Sequence, residues 1–204
     1  MKNNYQEEMF KIINNLKKGK SKLLLHSCCA PCSSYVIDYL KDYFEITVLF
    51  YNPNIYPEAE YLKRKVEQIK LLDILKIKYL DSNYDNELFA ELIKNNEEDI
   101  EGGIRCSTCI NFRLEETAIT AKRKNFDYFG TTLSVSPHKN SKTINEAGEH
   151  YSLVVKVPYL VADFKKSDGY KKSVELSKKY NLYRQDYCGC KYSKKGVKDE
   201  NKCT

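Results

Sequence analysis

Hydrophobic positions along the chain alternate between two periods. Residues 4–18 place Met9, Ile12, Ile13 and Leu16 on one side of a helix. Lys22-Leu23-Leu24-Leu25-His26 is a short apolar run ending in polar residues, as in a strand buried on both faces of a parallel sheet. A helix is predicted over 33–43, and a second strand over 45–51, closed by Asn52-Pro53-Asn54. Helical periodicity returns from Pro57 to Leu75, followed by a third strand over 77–80 and a helix over 85–97 that ends before Gly102-Gly103. A long helix then runs to Lys124, and 126–132 reads as a strand opening into a loop over 133–140. Residues 142–150 read as helix, 153–157 as strand and 168–180 as helix. Strands alternating with helices predict an α/β fold with a mostly parallel sheet flanked by helices. In such sheets a site forms beyond the carboxyl ends of the strands. Cys28/Cys29, Asn52/Asn54 and Thr131–Ser136 all stand at predicted strand ends.

At 204 residues the chain has the length of one domain. The expected division is an N-terminal helix within 1–19, a single α/β catalytic domain over 20–193, and a flexible basic tail over 194–204. No apolar run approaches the roughly 20 residues of a membrane span. The first residues are charged and lack a secretory pattern, so a cytoplasmic, monomeric protein without membrane attachment is expected.

Charge changes the picture through its distribution. The formal net charge is +6. Within 163–202, Lys165, Lys166, Lys171, Lys172, Lys178, Lys179, Arg184, Lys194 and Lys195 interleave with Tyr170, Tyr180, Tyr183, Tyr187 and Tyr192. Phosphate neutralisation combined with base stacking uses such a pattern, and Lys165, Lys166 and Arg184 are the candidate nucleic-acid contacts.

The cysteines carry the chemistry. Seven of eight fall in three clusters: Cys28-Cys29-Ala30-Pro31-Cys32, Cys106-Ser107-Thr108-Cys109 and Cys188-Gly189-Cys190. Packing alone does not reward such grouping, whereas metals, iron–sulfur clusters and redox disulfides require it. Side chains of adjacent residues diverge along an extended backbone, so Cys28 and Cys29 are expected to serve two neighbouring metals, or to split ligation from reaction. Cys29/Cys32 and Cys106/Cys109 are CxxC pairs, the second at a helix start where free amides favour thiolates. Zinc and iron–sulfur both select thiolates. A structural four-cysteine zinc site leaves Cys28, Cys188 and Cys190 surplus, which favours redox chemistry. Cys188 and Cys190 are open to two readings, a strained oxidising disulfide or a pair of metal ligands. Cys203 reads as a free tail thiol.

Plainer roles fit other residues. His26 reads as a hydrogen-bonded core histidine, His138 and His150 as surface residues, and Asp168 as a helix cap. Asn52 and Asn54 read as turn residues that are also able to recognise a base or ribose edge in the substrate.

The segments HSCCAPCSS (26–34), YNPNIYPEAEYLKR (51–64), GGIRCSTCINFRLEETA (102–118), GTTLSVSPHKN (130–140) and DFKKSDGYKKSVELSKKYNLYRQDYCGC (163–190) closely resemble the epoxyqueuosine reductase family of the QueH type. The resemblance spans about residues 20–193. It implies cobalamin-independent reduction of epoxyqueuosine to queuosine at the wobble base of tRNA, the last step of queuosine formation. It further implies a 4Fe–4S cluster, a second metal ion (iron, or else zinc) and a Rossmann-like scaffold of the HUP type. By this match Cys28, Cys29, Cys106 and Cys109 are the cluster ligands. Cys32 stands where some members carry an acidic ligand and is assigned to the second metal. Cys188 and Cys190 match the CGC motif. Candidate proton donors are Asp163, Asp168 and the CGC thiols, and electrons come from an external low-potential donor.

Two readings from other classes compete with reduction. One is a zinc-stabilised RNA-binding module without catalysis, and the other a thiol–disulfide oxidoreductase using Cys188 and Cys190. An ATP-dependent tRNA-modifying enzyme needs a glycine-rich phosphate loop where Ser27–Cys32 stands.

Overall fold

The computed structural model describes residues 4–16, 20–166 and 168–193. Cys203, Lys194, Lys195 and the expected basic tail lie outside the described residues. Four strands form one parallel sheet: β1 (Ser21–His26), β2 (Phe44–Leu49), β3 (Lys78–Leu80) and β4 (Tyr128–Thr131). Their spatial order is β3-β2-β1-β4. β1 pairs with β2 from Ser21↔Phe44 to His26↔Leu49, and with β4 from Leu23↔Tyr128 to His26↔Thr131. Strand order reverses between β1 and β4, which opens a crevice at their carboxyl ends.

β1 is buried on both faces, and its alternation divides the core. Leu23 and Leu25 pack with Val36, Ile37, Leu40, Ile46 and Val48 on one side. Leu24 packs with Leu114, Ala118, Phe129 and Ile144 on the other. The first layer is completed by α2 (Ala30–Leu40) and α7 (Gly169–Lys179), which pack together. The second is completed by α5 (Ile104–Arg123) and α6 (Ser141–Val155). α1 (Tyr5–Asn14) seats Met9 and Ile13 in the first layer, the face the periodicity predicts, with Ile12 and Leu16 packed against it. α3 (Glu58–Leu75) and α4 (Asn86–Leu92) complete the helices among the described residues.

Two elements differ from expectation. The second helix begins at Ala30, with Pro31 in its first turn, because proline needs no amide partner there. Residues 153–155 continue α6, which stops at Lys156 in a left-handed conformation, φ 62°. Leu153 and Val154 are left exposed, and the strand-like pairing comes later, as a parallel bridge between Tyr159 and Phe129.

Candidate metal centre

The first cysteine cluster sits where β1 passes into α2. The turn is held rigidly from below. Ser27 donates its amide to the Leu49 carbonyl at 2.9 Å and its hydroxyl to Gln68 Oε1 at 2.6 Å. Asn52 Nδ2 donates to the Ser27 carbonyl at 2.8 Å, and Ser33 Oγ donates to the Cys29 carbonyl at 2.9 Å. His26 is fully buried, with Nε2 3.0 Å from the Tyr51 carbonyl and Nδ1 2.9 Å from Thr131 Oγ1. A carbonyl only accepts, so Nε2 carries the proton and Thr131 donates to Nδ1. Burial first, and then the Arg113 charge, push the His26 pKa down to about 3, and the ring is a neutral strut.

Cys28, Cys29 and Cys32 bring their sulfurs within 4.8 Å of one another, with Cys28 and Cys29 3.7 Å apart. This corrects the expectation that the adjacent pair diverges. The chain turns into α2 at Cys29, so both thiols face the same side. Cys32 lies in the first turn of α2, where unpaired amides favour anionic sulfur. Hydrogen bonds from Cys29 and Cys32 hold the Cys28 pKa well below the usual thiol range. The same contacts push Cys29 up to about 12 and raise Cys32, so Cys28 ionises first.

The second cluster lies in the first turns of α5. Cys106, Cys109 and Arg113 fall on one face at helical spacing. The third cluster is clamped onto the loop after β2 and onto α3. Arg64, 2% exposed, donates to the carbonyls of Cys188 at 3.1 Å and Tyr187 at 3.3 Å while pairing with Glu60 at 2.7 Å. The Tyr56 amide donates to the Gly189 carbonyl at 2.8 Å. Gly189 adopts φ +113°, and a Cβ there would stand 2.9 Å from Arg64 Nη1. Cys188 and Cys190 are both free thiols, without a disulfide between them.

The clusters converge on two adjoining cavities. The larger, about 530 Å³, is lined by Cys28, Cys32 and Cys188 together with Asn54, Arg184 and Tyr187. The smaller, about 50 Å³, is lined by Cys106, Cys109, Cys188 and Cys190. Cys188, Arg113, His138 and Lys139 border both. Buried Arg113 donates to the Cys109 carbonyl at 3.1 Å, and its guanidinium is stabilised by Cys109, Cys188, Cys28 and Cys106. Burial disfavours the Lys139 ammonium, but Cys188 and Cys28 outweigh burial and raise its pKa. Burial pushes Cys109 up to about 12 and raises Cys190. Thiols separated by more than seventy residues therefore share the buried Arg113 and the half-buried Lys139, a donor set suited to thiolate-bound metals.

Several expected residues stand elsewhere. Asp163 accepts from Ser141 Oγ at 3.0 Å and lines neither cavity. Asp168 precedes α7, exposed and off both linings, and its side chain accepts no capping hydrogen bond, because φ 60° defines the turn through the backbone alone. Lys165 spends its ammonium on the Lys139 carbonyl at 2.7 Å, and Lys166 reaches Asn4 Oδ1 at 2.9 Å. Arg184 lines the larger cavity, 5.7 Å from the Tyr170 ring centre, and donates to the Ser173 carbonyl and Ser177 Oγ. Asn52 and Asn54 both line the larger cavity, the Asn52 amide being committed to Ser27 and Arg113. His138 is exposed at the rim and His150 at the surface of α6. Arg113 and Lys139 were not anticipated from sequence. The spacing of Arg113 on the CxxC helix was a readable signal, while Lys139 gave none.

Comparison with known proteins shows the family to which the chain belongs. A family model described as epoxyqueuosine reductase QueH matches residues 23–196. The epoxyqueuosine reductase QueH of Staphylococcus epidermidis is 41% identical, over 95% of this chain and 87% of the relative. Those of Streptococcus pyogenes (41% identical, covering 86% and 71%) and Thermotoga maritima (35%, covering 84% and 89%) also match. Among solved structures, the U34-tRNA thiolase NcsA from Methanococcus maripaludis with its [4Fe-4S] cluster superposes with a TM-score of 0.54 at 12% identity, over 95% of this chain and 71% of that one. That likeness concerns the fold. The family match spans every element that carries a clustered cysteine, and the chain belongs to the epoxyqueuosine reductase QueH family.

Proposed function

We propose that this chain reduces epoxyqueuosine to queuosine at the wobble position of tRNA. The observation that carries the reading is the convergence of six thiols from three segments on the two cavities bordered by Arg113 and Lys139, with Cys29 beside Cys28 and Cys32. The overall change consumes two electrons and two protons. The epoxide's two C–O bonds break, an alkene forms, and the oxygen leaves as water.

The donor set fits thiolate-bound metals. Cys28, Cys29 and Cys32 would hold metal from one side, and Cys106 and Cys109, with Cys188 and Cys190 beside them, from the other. A 4Fe–4S cluster with a neighbouring metal, when bound, supplies low-potential electrons and a Lewis acid for the oxygen. Arg113 and Lys139 offset the gathered negative charge. We assign proton delivery to Lys139 and Cys188, which line both cavities, and not to Asp163 or Asp168, which line neither. The α2 turn, fixed by Ser27, Gln68 and Asn52, keeps the sulfurs preorganised.

Arg184 with Tyr170, and Lys191 5.6 Å from the Tyr56 ring centre, form cation–aromatic pairs beside the cavity. They suit an anticodon loop whose wobble base is turned inward. Residues 20–193 act as the catalytic unit, supplied by an external low-potential donor. No described helix is long and apolar enough to cross a membrane, and a tRNA substrate fits the cytoplasm.

Reconstituted Cys106→Ala and Cys109→Ala proteins should lose conversion while keeping most tRNA affinity, since a lost ligand removes the electron path. A zinc-stabilised binding module would show no conversion even in the wild type. A Cys188/Cys190 oxidoreductase would stay active in the Cys106 variant.

A further inference from the structure

Six buried side-chain polar atoms find no hydrogen-bond partner among the described residues, and two of them, Asn54 Oδ1 and Gln185 Oε1, belong to residues that line the larger cavity. A buried carbonyl without a donor is costly, and sites that bind polar ligands keep such groups in reserve. Asn54 is 2% exposed, so its carbonyl is closed off from bulk water. The contrast with Asn52 is direct, because that amide is spent on Ser27 and Arg113.

Asn54 also stands between the two groups of thiols that border this cavity. Two residues before it, Asn52 ties the chain to the Cys28 turn, and Ile55 and Tyr56 after it pack against and hydrogen-bond to Gly189 of the CGC loop. Arg64, Arg113, Lys139 and Arg184 line the same cavity with Glu101 and Asp186, and a hydroxyl is a donor that suits the two carbonyls without adding charge.

We infer that Asn54 and Gln185 accept hydrogen bonds from the hydroxyls of the epoxide-bearing cyclopentane ring, and that this pair makes the site prefer the modified base to plain guanine. The inference rests on the reductase reading and specifies which part of the substrate the pair recognises. Gln185 enters through the loop after α7, which links recognition of the ring to the basic, tyrosine-rich segment.

Binding of two tRNAs that differ only at the wobble base, one with queuosine and one with guanine, tests this without turnover. Reconstituted wild-type protein should prefer the queuosine form. Asn54→Ala and Gln185→Ala should each reduce that preference about fivefold, at unchanged iron content and unchanged affinity for the guanine form. If Asn54→Ala fails to retain iron, half-buried Gln185 decides alone. Full preference retained in Gln185→Ala, or a fall in affinity for both tRNAs alike, overturns the inference. A wild type without preference also overturns it, and conversion of the epoxide by that same protein would show that the reductase reading survives.

Discussion

Replacing Gly189 by alanine should damage the centre more than the same change at Gly102, by an amount the structure sets. Both glycines hold positive φ, +113° at Gly189 and +94° at Gly102. An alanine at either position stores backbone strain of about 1–3 kcal/mol. The surroundings separate them. At Gly102 a Cβ meets no heavy atom within 4 Å. At Gly189 it would stand 2.9 Å from Arg64 Nη1 and 3.0 Å from Ile55 Cγ1. Arg64 cannot swing aside, because Glu60 and the carbonyls of Cys188 and Tyr187 hold it. Overpacking of this kind adds about 1–3 kcal/mol. Gly189→Ala should therefore destabilise by about 2–6 kcal/mol and Gly102→Ala by about 1–3 kcal/mol. Urea unfolding of the reconstituted proteins reads the difference, and iron retention should fall only for Gly189→Ala. Equal losses in the two variants, or full iron retention at Gly189→Ala, would refute the clamp.

Acid should weaken the fold through His26. Its native pKa of about 3 lies below the unfolded value of 6.5, so the unfolded chain binds the proton first. Stability is full above about pH 6.5 and declines towards pH 3, by about 2 kcal/mol at pH 5. His26→Gln should flatten that slope, and an unchanged slope between pH 7.5 and 5 would remove the claim. For RNA, Arg184→Ala should lower the salt dependence of tRNA binding by about one unit. Lys165→Ala should leave it unchanged and instead cost about 1 kcal/mol of stability, because its ammonium serves the Lys139 carbonyl. The reverse pattern would show that Lys165 leaves its internal partners to bind phosphate.

The sheet was legible because β1 and β2 are short apolar runs whose polar ends coincide with chemistry at His26–Cys29 and Asn52–Asn54. The cysteines were legible by spacing. The helix through Val155 was not. Leu153 and Val154 look like strand residues, yet they ride the exposed end of α6, and the chain instead buries Val157 and Tyr159. Nor did the order of charges reveal their use. Lys165 and Lys166 read as a free basic pair, but tertiary closure places one against a carbonyl and the other against Asn4. Lys139 reads as a loop charge and becomes a cation between thiols. A charge's role depends on what closes over it, which pairings distant in sequence decide.

The central claim is tested most directly by mass. Anaerobically reconstituted protein, given a strong reductant and tRNA carrying epoxyqueuosine, should yield a nucleoside lighter by one oxygen atom, with wild-type conversion and none for Cys106→Ala. Wild-type protein with an intact cluster that leaves the epoxide untouched would contradict the account.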